Sequence, residues 1–181
     1  MAREFMAIEA ILDVLEQNPV QIDAATRNLS PELLTVSSAT GEWSLSEILA
    51  HLRGYAETRG DRRILAMIRE DFPIIRTMHP NTWAAQAGVL NCDFRESLDA
   101  FARLRGDLLD LLRRQPESVW TRTATITGAG APRVKSVHET GDALARHERA
   151  HVRHMARVAE ALQKKGADYQ RDGRRLPTPP D

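Results

Sequence analysis

One cysteine, Cys92, is all that the 181 residues contain, so no disulfide can close within the chain and a reducing compartment suits it. Net charge is missing too: 25 Lys and Arg balance 25 Asp and Glu. A dedicated nucleic-acid binder usually carries a basic surplus, although a local patch could form because most of the cations here are Arg. No apolar run reaches the roughly 18 residues of a membrane span. The start, Met1-Ala2-Arg3-Glu4, lacks the apolar stretch of a signal peptide. No internal repeat and no convincing run of alternating strands is present. The expectation is a cytoplasmic protein acting on neither membrane nor nucleic acid. With 42% hydrophobic residues, a chain of this length can bury one real core.

What the chain does have is helical periodicity. Phe5, Ile8, Ile11, Leu12 and Leu15 follow helical spacing to about Glu16. Asn18-Pro19 reads as a stop and restart, with Asn18 as N-cap, a short helix to about Asn28, and a smaller cap-plus-proline signal at Ser30-Pro31. Gly41-Glu42-Trp43-Ser44-Leu45-Ser46-Glu47 is a helix entrance in which Ser44 and Glu47 have capping-box spacing and Trp43 can pack across the first turn. Leu45, Ile48, Leu49, Leu52 and Ala56 form the apolar stripe of that helix. His51 flanks the stripe one turn ahead of Tyr55, and the helix should fade near Asp71, before Pro73.

Residues 72–92 form a long connection, with a short helix expected over 81–86 and with His79 and Trp83 as candidate pocket-wall residues. Asp93, with Glu96, caps a third helix that carries Phe94, Leu98, Phe101, Leu104, Leu108, Leu111 and Leu112. Thr121 to Val134 reads as a loop or loose hairpin. Ser136 and Glu139 open the last helix, which buries Val137, Leu144, Val152, Met155, Val158, Ala159 and Leu162 and should end at Gly166. The fold class expected is all-α, a four-helix bundle with a long connection between helices 2 and 3. The bundle domain would cover residues 1–165, and residues 166–181 a flexible tail.

Chemistry concentrates in Arg146-His147-Glu148-Arg149-Ala150-His151-Val152-Arg153-His154. Residues four apart share a helix face, so His147 and His151 can aim at one point, as neutral imidazoles that hold transition metals do. His147-Glu148-x-x-His151 also spells the H-E-x-x-H pattern of zinc peptidases. At about 100° per residue, His151 falls in the apolar stripe with His147 and His154 along one edge, an arrangement that a solvated basic face would not produce. The pair His147/His151 is preferred over His151/His154. Bundle metal sites draw ligands from facing helices, which makes His51 the favoured third ligand, with His138 and His79 as fallbacks. Three nitrogens leave a coordination position for water or substrate. Glu148, near the centre of the stripe, could orient a ligand histidine, act as a base, or pair with an arginine of a neighbouring helix. Tyr55 could donate a hydrogen bond into the site.

Taken together, Gly41-Glu42-Trp43-Ser44-Leu45-Ser46-Glu47-Ile48-Leu49-Ala50-His51-Leu52, the later His147-x-x-x-His151, Pro73 and the Arg-bearing Ala102-Arg103-Leu104-Arg105 have the order of a known family. Over about residues 5 to 165 the chain resembles the DinB-like superfamily of small bacterial four-helix bundles. The resemblance implies a divalent metal held by three histidines, at positions that map onto His51, His147 and His151. It implies a thiol-dependent S-transferase using bacillithiol, mycothiol or glutathione and an electrophilic substrate, or a relative of the mycothiol-dependent maleylpyruvate isomerases, commonly as a homodimer. His154 and the H-E-x-x-H spelling are departures from the pattern. Imidazole ligands suit zinc, nickel or iron. Two other readings are a non-catalytic metal-binding stress-response protein and a zinc hydrolase that uses Glu148 as base.

Overall fold

Five buried residues, Ile11, Leu15, Asn18, Ile22 and Thr26, make one unbroken stripe along the first helix, α1 (Ile8–Thr26). In the computed structural model, which describes residues 4–39, 41–77, 93–128 and 130–171, this helix runs straight through Pro19. The expected stop and restart is therefore corrected. Proline removes the N–H that would bond the Leu15 carbonyl, but ending the helix there would strand Ile22, which is fully buried in the core. Asn18 is no N-cap either, since its side-chain amide donates to Glu148 Oε2 at 3.0 Å.

After the short α2 (Pro31–Thr35), with Pro31 in its first turn, the capping box at Ser44 opens α3 (Leu45–Tyr55) as expected. Glu47 N donates to Ser44 Oγ at 3.2 Å, and Ser44 N donates to Glu47 Oε2 at 2.7 Å. A single π turn, Ala56–Gly60, then joins α3 to α4 (Asp61–Arg69). Next come α5 (Phe94–Arg113), capped by the Asp93 carboxylate, and the long α6 (Val137–Arg171), opened by the reciprocal Ser136 and Glu139 bonds. The last helix does not end at Gly166 but continues to Arg171. All seven apolar residues expected on its inner face are buried.

These elements form a four-helix bundle: α1, the α3–α4 arm, α5 and α6. A small sheet adds to it; the loose-hairpin alternative for Thr121 to Val134 holds, and the third strand was not expected. The stretch 121–134 is a hairpin, with β2 (Thr123–Thr127) antiparallel to β3 (Arg133–Ser136), and β1 (Ile74–Arg76) pairs parallel to β2. Thr at every other position of β2, with Ala124 and Ile126 between, suits an extended, half-buried strand. Gly128, at φ +92°, follows it where a Cβ would lie 2.5 Å from the Thr77 carbonyl oxygen, so no larger residue fits. Arg122 ties the sheet to the end of α4, donating through Nε to Met67 O at 2.6 Å and through Nη2 to Glu70 O at 2.7 Å. Ala124, Val119 and Trp120 pack with Ile64, Leu109 and Leu144, which seats the sheet over one end of the bundle. Among the described residues, no helix is long and apolar enough to cross a membrane. The helix expected over 81–86, together with His79 and Trp83, lies outside the described residues.

Candidate metal centre

The core stripes set the rotation of α3 and α6, and with it the direction of the histidines. On α3, Leu45, Ile48, Leu49 and Leu52 face the core with no exposure, leaving His51 half-buried on the flank. On α6, Leu144, Ala145, Glu148, Val152 and Met155 face inward, so His147 and His151 share the edge turned toward α3. His151 is thus at the margin of the stripe rather than inside it.

His51 Nε2 and His147 Nε2 lie 3.1 Å apart, and one nitrogen from each of His51, His147 and His151 falls within 4.8 Å of the others. Two nitrogens each about 2.0–2.1 Å from one ion stand about 2.9–3.4 Å apart at octahedral or tetrahedral angles, so the observed approach matches a shared ion. The protonation states fit as well. Burial, with His151 and Arg59 nearby, lowers His51 to about 4. Burial, with His151, His51 and Arg59, does the same to His147, again to about 4. Burial and then His154 lower His151. All three imidazoles are neutral at pH 7 and offer lone pairs, the state that ligation requires.

Around this trio stand aromatic rings. Trp43 lies 5.1 Å from the His51 ring and stacks on His151 at 6.2 Å and 9°. Tyr55 packs on His147 at 4.3 Å, ring centroid to ring centroid. The sequence reading used Trp43 only as a helix staple; its place one residue before the cap of the His51 helix was the available signal.

Glu148 takes the third of its three sequence-level roles. Its Oε2 accepts from Asn18, and its Oε1 stands 3.0 Å from Arg105 Nη1, outside hydrogen-bond alignment. Arg105, itself only 1% exposed, also donates through Nη2 to Asp61 Oδ2. Burial pushes Glu148 up to about 7 against the pull of Arg105 and Asn18, and burial likewise raises Asp61 against Arg105. Both Glu148 oxygens thus face α1 and α5. The buried Nδ1 of His147 has no hydrogen-bond partner among the described residues, so Glu148 does not orient it. Arg105 and Asn18 were missed as site supports. The signal for Arg105 was a guanidinium in line with Phe101, Leu108 and Leu112, a position that demands a buried carboxylate.

The remaining histidines lie elsewhere. His138 Nε2 pairs with the Met6 carbonyl oxygen at 2.7 Å, and its ring packs on Phe5 and Trp120. His154 lies outside the cluster, and His79 outside the described residues. Beside Tyr55 opens a small indentation, partly open to solvent, between Arg63 of α4, Lys135 of β3 and Thr140 of α6.

A four-helix bundle with three imidazoles gathered between its second arm and its last helix defines a class, and sequence comparison agrees. Residues 15–155 match the DinB superfamily, so the chain belongs to that family. Among curated proteins none matches the sequence. Among solved structures, YfiT from Bacillus subtilis, described as a probable metal-dependent hydrolase with an unusual four-helix bundle topology, is similar at TM-score 0.73 and 20% identity over 92% of this chain and 93% of its own. A mycothiol-dependent maleylpyruvate isomerase is similar at TM-score 0.64 and 14% identity, over 88% of this chain and 67% of its own. At these identities the likeness establishes the fold.

Proposed function

We propose that this protein is a divalent-metal-dependent enzyme that transfers a low-molecular-weight thiol, bacillithiol, mycothiol or glutathione, to an electrophilic substrate. The observation that carries the reading is the meeting of three neutral imidazoles, two of them with Nε2 atoms 3.1 Å apart. His51, His147 and His151 would hold zinc, nickel or iron, and a bound ion would supply Lewis acidity that favours the thiolate over the thiol. The chain's residues supply the rest. Burial keeps the imidazoles unprotonated, while Trp43 and Tyr55 cover two sides of the cluster and restrict water. Sulfur bonds to the electrophilic carbon as the leaving group departs with its electron pair, and the thiol proton passes to solvent.

Support also comes from the mycothiol-dependent neighbour, whose chemistry uses the same kind of co-substrate. Hydrolysis with Glu148 as base is disfavoured, because Asn18 and Arg105 occupy its carboxylate. The proposal extends to a homodimer, which light scattering on the purified chain would report.

The test is thiol consumption by metal-loaded protein in the presence of a monochlorobimane-type electrophile. Turnover with at least one of the three thiols, abolished by chelation and restored by metal, is expected. Inactivity with all three thiols in a fully loaded sample, together with a large fall in melting temperature on chelation, would assign the ion a purely structural role.

A further inference from the structure

The cleft beside Tyr55 gathers positive charge that nothing in the described structure balances. Arg63 and Lys135 line it from opposite elements, with Thr140 between them and with Ile126 and Leu144 as apolar floor. Arg59 does not line the cleft but lies nearby, its Cζ 5.8 Å from the Tyr55 ring centroid and its Nε buried without a hydrogen-bond partner among the described residues. None of these three cations ion-pairs with a carboxylate among the described residues, whereas Arg53, Arg105, Arg113 and Arg122 all do.

The backbone is shaped to build this arrangement. Along an uninterrupted α-helix, a residue eight positions on lies about 80° around from the first. The π turn at Ala56–Gly60 takes up about one extra residue, setting the helix back by about 100°. Tyr55 and Arg63 are thereby returned to one face, and both line the cleft. Gly60 completes the fit. A Cβ there would lie 2.8 Å from Leu144 Cδ1 and 2.9 Å from Tyr55 Cε1, closing the space between α4 and α6. π turns of this kind recur at functional sites.

Tyr55 is the wall shared with the histidine cluster, packed on His147 on one side and lining the cleft on the other. We propose that the cleft is an anion subsite, in which Arg63 and Lys135 hold the carboxylate or phosphate end of a co-substrate while its reactive atom reaches past Tyr55 to the histidines. A guanidinium offers a planar fork that pairs two oxygens of such a group, and an ammonium adds a point charge. The co-substrate's orientation rests on the thiol-transfer reading; anion binding stands on the cleft alone.

The test is calorimetric titration of the metal-free full-length protein at low salt, with succinate and with inorganic phosphate as probes. Metal-free protein keeps the anions from reporting on an ion at the histidines. Binding of either anion is expected, weakened at least tenfold in Arg63→Gln/Lys135→Gln and unchanged in Arg62→Gln, an exposed neighbour. Lys135→Gln alone, on the edge strand, should weaken it at least threefold and guards against a misfolded double variant. Preference for succinate or for phosphate assigns the group. No binding to the wild type, undiminished binding to the double variant, or an equal loss in Arg62→Gln overturns the subsite. Anion binding that depends on Arg63 and Lys135 in a protein with no thiol turnover would keep the subsite and discard the reaction. Thiol turnover without anion binding would do the reverse.

Discussion

His147 and Glu148 are neighbours in the chain that serve different partners: His147 Nε2 lies 3.1 Å from His51 of α3, whereas Glu148 Oε2 accepts a hydrogen bond from Asn18 of α1 at 3.0 Å. About 100° of rotation per residue is enough to separate a proposed ligand from a core ion pair. Replacing Glu148 with Gln keeps the shape and an acceptor for Asn18 while removing the charge. Metal affinity, read by chelator competition, should stay within about threefold of wild type, because second-sphere partners typically matter 10–100-fold and Glu148 is not one. A tenfold or greater loss with an intact circular dichroism spectrum would place Glu148 in the metal site after all.

Single alanine variants at His51, His147 and His151 should each lower metal affinity by more than about 100-fold, beyond the usual effect of a second-sphere change. His154→Ala and His138→Ala should leave affinity within a few fold, since neither ring joins the cluster. Metal content by plasma mass spectrometry after dialysis decides this. An unchanged content in His51→Ala, or a loss in His154→Ala equal to that of His151→Ala, would point to the alternative His151/His154 pair.

Much of this site was legible before folding was considered, and the reasons are local. The four-residue spacing of His147 and His151 fixes their common face in any helix, and the Ser44 box fixes where the His51 helix begins. What was not legible depended on tertiary packing. Pro19 looks like a boundary because its local cost is visible and the burial of Ile22 is not. The strand Ile74–Arg76 has little pattern of its own and exists because β2 offers it an edge. No residue type announces the π turn at Ala56–Gly60, so the alignment of Tyr55 with Arg63 could not be foreseen.

In the metal-free protein, low pH should act against the fold through the histidines. His51 and His147 titrate at about 4 when folded, below the roughly 6.5 of an unfolded chain. The unfolded state therefore binds more protons between those values, and stability falls as pH drops from about 6.5 toward about 4. His51→Gln/His147→Gln removes the part of this dependence due to these two imidazoles and leaves that of His151. The difference in urea midpoint between wild type and the double variant should shift against the wild type across that window, with His151, Glu148 and Asp61 titrating in both proteins. A pH-independent difference would mean that the two imidazoles are more solvated than the geometry implies.

Pro19 costs α1 the bond to the Leu15 carbonyl without ending the helix. Pro19→Ala supplies the donor, worth up to about 3 kcal/mol in a helix interior, against roughly 1 kcal/mol from a more flexible unfolded chain. A net gain of about 1–2 kcal/mol should raise the melting temperature by a few degrees. A fall instead would show that the bend or packing made by the proline ring is needed to bring Asn18 to Glu148.

Among the described residues, Arg105 is the one cation set between Asp61 and Glu148, with 1% of its side chain exposed. Arg105→Met keeps most of the volume and leaves two buried carboxylates without their cation, a change that costs about 3–5 kcal/mol when one partner of a buried pair is removed. The penalty must depend on pH. Burial already raises both carboxyl groups, with Arg105 opposing the rise. Without it, the native variant holds more protons than the native wild type near neutrality, so its deficit grows as pH rises and shrinks as pH falls. Urea unfolding at pH 8.0 and at pH 5.5 should therefore give a clearly larger deficit at the higher pH, and Arg105→Met combined with Glu148→Gln should recover part of the loss at pH 8.0. An equal deficit at both pH values, with no recovery in the double variant, would show that Arg105 contributes packing rather than charge at the centre of this bundle.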